Sequence, residues 1–254
     1  MLRPKALCLL LLCGALFPGS YPEERFVFAL LKYAGNWNNR MHSVKELAIH
    51  LMNTTSVSLP LSPRAVSIAD PDLFHYPFLM MTGDRGFPPF PEPERRRLRL
   101  FLEHGGFLFI DNSAGMRDNE FDRCVRRELA ALFPDRPLSA LKPDHTIYRT
   151  FYLVRRTYFG GRVSVAPFLE GVSLGEVTPV IYSLNDAAGA WEKDGRTGNW
   201  SYDVIPGGEL QRREAFKLGV NLVMYALTVN YKKDVVHVQT LLKRGRFRSL
   251  PWTE

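Results

Sequence analysis

The chain has 254 residues, of which 46% are apolar, 12% aromatic and 23% charged. These proportions exclude a disordered, collagen-like or coiled-coil chain, and the length suits one or two domains with a sizeable core. Thirty-three basic against 26 acidic residues give +7, and three cysteines are too few for a disulfide scaffold.

The N-terminus carries Arg3 and Lys5, an apolar run from Ala6 to Phe17, and then Pro18-Gly19-Ser20. A basic start, a short apolar stretch and small residues form the pattern of a secretory signal peptide. The run falls short of the roughly 20 apolar residues of a spanning helix. We therefore expect a signal over 1–20 and one α/β domain over 21–254, periplasmic or secreted. Cys13 raises lipidation, although Leu12 stands where a small residue is expected, and retention by an uncleaved signal stays open. Removal of the signal lowers the excess charge to +5 and takes Cys8 and Cys13 with it. Cys124 then remains alone, without an internal disulfide partner.

Phe26–Leu31 is an apolar run of strand length, followed by the turn-rich Gly35–Asn39. Ser43 with Glu46 has the spacing of a capping box, and Val44, Leu47, Ala48 and Leu51 share a helical face. Residues 54–75 read as a loop with an extended piece at Val66–Ile68. The Tyr76–Thr82 run predicts a strand. A proline-rich loop leads to a helix through Leu98, Phe101 and Leu102, which Gly105-Gly106 stops. Phe107–Ile110 has the unbroken apolar character of a strand buried on both faces of a parallel sheet. Phe121, Val125, Leu129 and Leu132 mark a helix ending before Pro134. Alternating strands and helices predict a mostly parallel sheet between helical layers. Further on, Thr150–Tyr158 and Gly161–Phe168 read as extended, Val177–Leu184 as a strand, and Phe216–Leu227 as a helix.

In open α/β sheets ligands sit beyond the carboxyl ends of parallel strands. This rule selects Lys32, Tyr33 and Asn36; Gly83, Asp84 and Arg85; Asp111, Asn112 and Ser113; and Asn185 with Asp186. Asp84, Asp111 and Asp186 could converge as oxygen ligands of a divalent cation or as an acid–base pair, with His145 as a fourth member. Aspartates at such positions are equally the caps of adjoining helices and turns. Asp111-Asn112-Ser113-Ala114-Gly115 approximates a nucleophile elbow with Ser113 as nucleophile, but Asp111 replaces its first glycine. Cys124 is expected in the core. Trp191 and Trp200 flank a polar loop, either to stack on a sugar or to anchor the loop inward; we favour anchoring. The arginines at 95–99 read as the solvated face of a helix. The basic run Lys243–Arg248 suits an anionic membrane surface or an acidic partner. Export excludes nucleic acid as a partner, and no cofactor is implied.

Several of these segments together resemble the bacterial family known as domain of unknown function 4159. They are Phe26–Tyr33 with Asn36-Trp37, Asp72–Pro77 running into Thr82-Gly83, Gly105–Asp111 and Asp144–Tyr148. Asn185-Asp186 with Ala190–Glu192, Gly219–Asn221 with Tyr225–Thr228, and His237-Val238 complete the set. The resemblance implies a three-layer α/β/α sandwich of the flavodoxin-like, class I glutamine amidotransferase-like kind. It also implies an envelope binding or assembly role, since relatives are often joined to membrane segments. In the amidotransferases a cysteine occupies the elbow after the strand matching Phe107–Ile110. Here the elbow is Asp111-Asn112-Ser113, so amidotransfer is not expected. The leading expectation is a non-enzymatic exported domain binding a small ligand or an envelope or membrane protein through Asp84, Asp111, Asn112, His145 and Asp186. The alternatives are a hydrolase, metal-assisted through the acids and His145 or serine-based through Ser113, and a structural partner using the basic tail.

Overall fold

Phe107, Leu108, Phe109 and Ile110 are all buried, and they alternate between two separate apolar cores. Phe107 and Phe109 face one core, Leu108 and Ile110 the other, which places this strand in the middle layer of a sandwich. The computed structural model describes residues 26–155 and 159–243, with 229–243 described in their backbone alone. The expected signal, with Cys8 and Cys13, the end of the expected 150–158 segment and the basic run beyond Lys243 lie outside the described residues.

The strands are β1 (Ala29–Lys32), β2 (Arg64–Ser67), β3 (Phe78–Gly83), β4 (Phe107–Asn112), β5 (Ser139–Ala140), β6 (Glu170–Leu174) and β7 (Val177–Ser183). They form one sheet in the order β2-β1-β3-β4-β7-β6-β5. The first five in that order are parallel, while β6 and β5 are antiparallel additions at one edge. The helices are α1 (Ser43–Thr54), α2 (Glu92–Glu103), α3 (Glu120–Leu132), the short α4 (Ala187–Trp191) and the long α5 (Gly208–Lys243). Leu47 of α1, Trp191 of α4 and Val223 of α5 belong to one core; Leu98 and Phe101 of α2 and Phe121 and Val125 of α3 belong to the other. The protein is thus a three-layer α/β/α sandwich, as expected.

Close approach within the first helical layer depends on Gly219, where an added Cβ would lie 2.5 Å from Leu47 and 3.0 Å from Trp191. The stop at Gly105-Gly106 also forms as expected. Gly105 has φ +106° and Gly106 donates its N–H to the Phe101 carbonyl at 2.9 Å, closing the last turn of α2. Gly105→Ala is expected to cost about 1–2 kcal/mol by forcing an L side chain into that region; urea unfolding checks it.

Three local expectations change. Ser43 forms no capping box: its hydroxyl donates to the Arg40 carbonyl at 2.7 Å, and Glu46 pairs with Lys193 at 3.0 Å. The 150–155 and 161–168 segments are not strands, because side-chain amides replace the strand partner they would need. Asn185 accepts from the backbone of Val165 and Ala166 and donates to the carbonyls of Phe159 and Ala166. Asn221 does the same for Ile147, Phe151 and Tyr152. Finally, Cys124 is half-buried rather than in the core, and its thiol bonds the Phe87 backbone.

Candidate functional site

Register determines what gathers at the carboxyl edge. Asp111 lies opposite Thr82 of β3 and Ser183 of β7, so it is a residue of the central strand and not of the loop after it. It is fully buried. Its two carboxylate oxygens accept from the backbone N–H groups of Ala187 (3.0 Å) and Ala188 (2.8 Å). Asp186 is also fully buried, adopts a left-handed conformation (φ 51°) and accepts from Gly189 N–H at 3.0 Å. Three otherwise orphaned donors of the first turn of α4 are thereby satisfied by two carboxylates. Residue 189 is glycine of necessity, since a Cβ would stand 2.4 Å from an Asp186 oxygen.

Two arginines then neutralise Asp186. Arg40, in the loop after β1, grips it with a fork: Nε to Oδ1 at 3.0 Å and Nη2 to Oδ2 at 2.8 Å. Arg162 Nε donates to the same Oδ2. Arg40 also donates to the Tyr202 hydroxyl (2.7 Å) and the Ser113 carbonyl (3.2 Å), with its guanidinium 4.2 Å from the Tyr202 ring centre. Glu192 stands 3.9 Å from Arg40 Nε. Burial raises the Asp111 carboxyl to about 7, and the neighbouring Asp186 charge adds to the rise against the opposing α4 N–H groups. Burial likewise raises Glu192 to about 7, with Arg40 opposing. Ser113 Oγ and Glu192 Oε2 are buried here without a hydrogen-bond partner among the described residues.

The residues selected from sequence separate into three places. Asp111 and Asp186 meet in this cluster. Asn112 joins its margin as a loop-former, donating to the Met116 carbonyl at 2.7 Å and accepting from Ala114 N–H. Asp84 lies at the rim, partly exposed, accepting from Asn36 at 2.9 Å. His145 is elsewhere: its ring bonds Thr178, at the amino end of β7, about 16 Å along the strand from Ser183. The four-residue convergence expected from sequence is therefore not formed. Among the described residues no three of His, Cys, Asp and Glu stand together as a metal-holding group.

Nor is the Ser113 turn a nucleophile elbow. Its N–H continues the ladder to the Gly83 carbonyl at 2.9 Å, and α3 begins only at Glu120, after a loop. Trp191 is buried with its indole N–H on the Ala215 carbonyl (2.9 Å), and Trp200 sits between Lys193 and Arg212, so both anchor the loop. Arg40, Arg162, Glu192 and Tyr202 were missed in the sequence. Arg40 follows the same strand as Asn36, and extending the strand-end rule by one turn of chain would have reached it.

Apart from this cluster, an open cleft of about 540 Å³ is lined by Lys32, Tyr33, Ser67, Asp70 and the Pro88–Pro91 segment, and no residue of the cluster lines it. It lies over the carboxyl ends of β1 and β2 and against the loop that follows β3, on the edge of the sheet where such folds receive ligands. Among the described residues no helix is long and apolar enough to cross a membrane.

No curated protein matches the chain. The model of the family described as "Domain of unknown function (DUF4159)" matches residues 27–227, from the approach to β1 to Leu227 of α5, and so spans the sheet, both helical layers and the Asp111–Asp186 cluster. With that extent of match, the chain belongs to the DUF4159 family.

Proposed function

We propose that this is an exported domain of the bacterial envelope that binds a small ligand or partner protein at the carboxyl edge of its sheet without transforming it. The observation carrying this reading is the engagement of the two central carboxylates. Asp111 is spent on the N-terminus of α4 and Asp186 on two guanidinium groups, so neither is free to move a proton on a substrate. The cleft over the carboxyl ends of β1 and β2 supplies the space for a ligand. The strand order β2-β1-β3-β4-β7 supports the flavodoxin-like, amidotransferase-like relationship, while Ser113 in place of the elbow cysteine argues against amidotransfer. The serine-hydrolase alternative has the partnerless Ser113 hydroxyl in its favour, but that hydroxyl has no imidazole hydrogen-bonded to it. The N-terminal pattern supports export, and the basic C-terminus supports contact with an anionic membrane surface.

Two measurements test the reading. Residues 1–30 fused to alkaline phosphatase are expected to give an active periplasmic enzyme; cytosolic retention would remove export. Purified protein is expected to turn over nitrophenyl esters no faster than Ser113→Ala. An ester hydrolysis that Ser113→Ala abolishes would establish the hydrolase instead.

A further inference from the structure

A second cleft, of about 400 Å³, opens at the amino edge of the sheet, against the β5–β6 addition and the Tyr225–Thr228 turn of α5. Its wall includes His145, Ser173 and Tyr225, with Lys142, Asp144 and Glu176 around them. The hydrogen bonds beneath that wall have a direction. Ile147 N–H donates to His145 Nδ1 at 3.2 Å, so the ring proton resides on Nε2 and points at Thr178 Oγ1, 3.0 Å away. Thr178 Oγ1 lies 2.9 Å from Ser173 Oγ, and Thr178 N–H donates to the Tyr225 phenol oxygen at 3.0 Å.

His145, Thr178 and Ser173 carry three polar hydrogens, and only two contacts join these groups. One hydroxyl hydrogen is left over. If Thr178 donates to Ser173, the leftover is Ser173's; if Ser173 donates to Thr178, the Thr178 hydrogen turns to the phenol and Tyr225's own hydrogen is displaced outward. In either case a hydroxyl held in place from behind offers a donor to the cleft. Around it stand one ammonium and two carboxylates, which together do not favour a polyanion. Groups that both donate and accept, with carboxylates to take their hydrogens, match the hydroxyls of a sugar.

We propose that the amino-edge cleft binds a neutral saccharide, with Ser173 and Glu176 as its contacts and the His145–Thr178 pair as the positioning groups behind them. This site is independent of the carboxyl-edge reading above. The test is a titration of the full chain with neutral di- and trisaccharides of glucose and of N-acetylglucosamine, followed by backbone amide shifts and calorimetry. Saturable shifts confined to 139–150, 173–178 and 225–228 are expected, with Kd raised about fivefold or more by Ser173→Ala and by Glu176→Gln, both at exposed positions. An absence of saturable shifts with every sugar at 50 mM, or equal binding by both variants, overturns the proposal. So does binding of inorganic phosphate in preference to the sugars.

Discussion

Replacing Arg40 by methionine is expected to destabilise the protein by about 3–5 kcal/mol, the cost of breaking a buried ion pair from one side. For a domain of this size that is a fall in Tm of roughly 6–20 °C. The guanidinium fork holds Asp186, whose left-handed backbone starts α4, and it also donates to the Ser113 carbonyl at the end of β4 and to Tyr202. Arg40 therefore ties together the loop after β1, the central strand and the loop that carries Tyr202. Without it Asp186 keeps, among the described residues, only Arg162 as a counter-charge. Arg40→Lys restores the charge but not the fork, so it should recover part of the loss. A methionine variant within 1 kcal/mol of wild type in urea unfolding would show that Arg162 alone suffices and that Arg40 is not the organising residue.

The sequence displays the frame of this protein more readily than its wiring. Strands such as Phe107–Ile110, apolar without interruption, and helices such as Phe121–Leu132, with their i, i+3, i+4 stripe, declare themselves because burial imposes their periodicity locally. β6 was hidden because Gly171 interrupts a short run and its partner β7 is antiparallel, a pairing that no local pattern announces. The two segments mistaken for extended strands carry strand-like residues, yet Asn185 and Asn221 bond their backbones from far along the chain. The candidate site shows the same division. The strand-end rule brought Asp111 and Asp186 to one edge, with Asp111 one residue too far along, and the capping role weighed for such aspartates holds for both at α4. His145 was joined to them on the strength of its neighbour Asp144, and an Asp-His dipeptide looks alike at either end of a strand. Only the register, with His145 bonded to Thr178 and Asp111 paired to Ser183, separates the two edges.

Stability is expected to fall as pH rises from about 4.5 to about 7, and the cause lies in the same cluster. Glu192 has an ordinary value of 4.5, and in the folded protein burial lifts it to about 7. Between these values the folded state holds a proton that the unfolded chain has released, so each step up in pH favours unfolding. Below about 4.5 both states are protonated and the penalty vanishes; above about 7 it is fully developed, at up to about 3 kcal/mol. Asp111, also lifted to about 7, acts in the same direction, but the two share Asp186 as a neighbour and their effects will not simply add. Glu192→Gln separates them. An amide cannot ionise, and the partnerless Oε2 means that no accepted hydrogen bond is lost there. The variant should therefore stand within about 1 kcal/mol of wild type at pH 5 and exceed it by about 1–3 kcal/mol at pH 8. Asp111→Asn should behave differently, because its amide would turn a donor toward the N–H of Ala187 or Ala188 and cost about 1–3 kcal/mol at both pH values. Urea unfolding of the three proteins at pH 5 and pH 8 decides the matter. A wild type equally stable at both would mean that Glu192 is ionised throughout, with Arg40 rather than burial governing its charge.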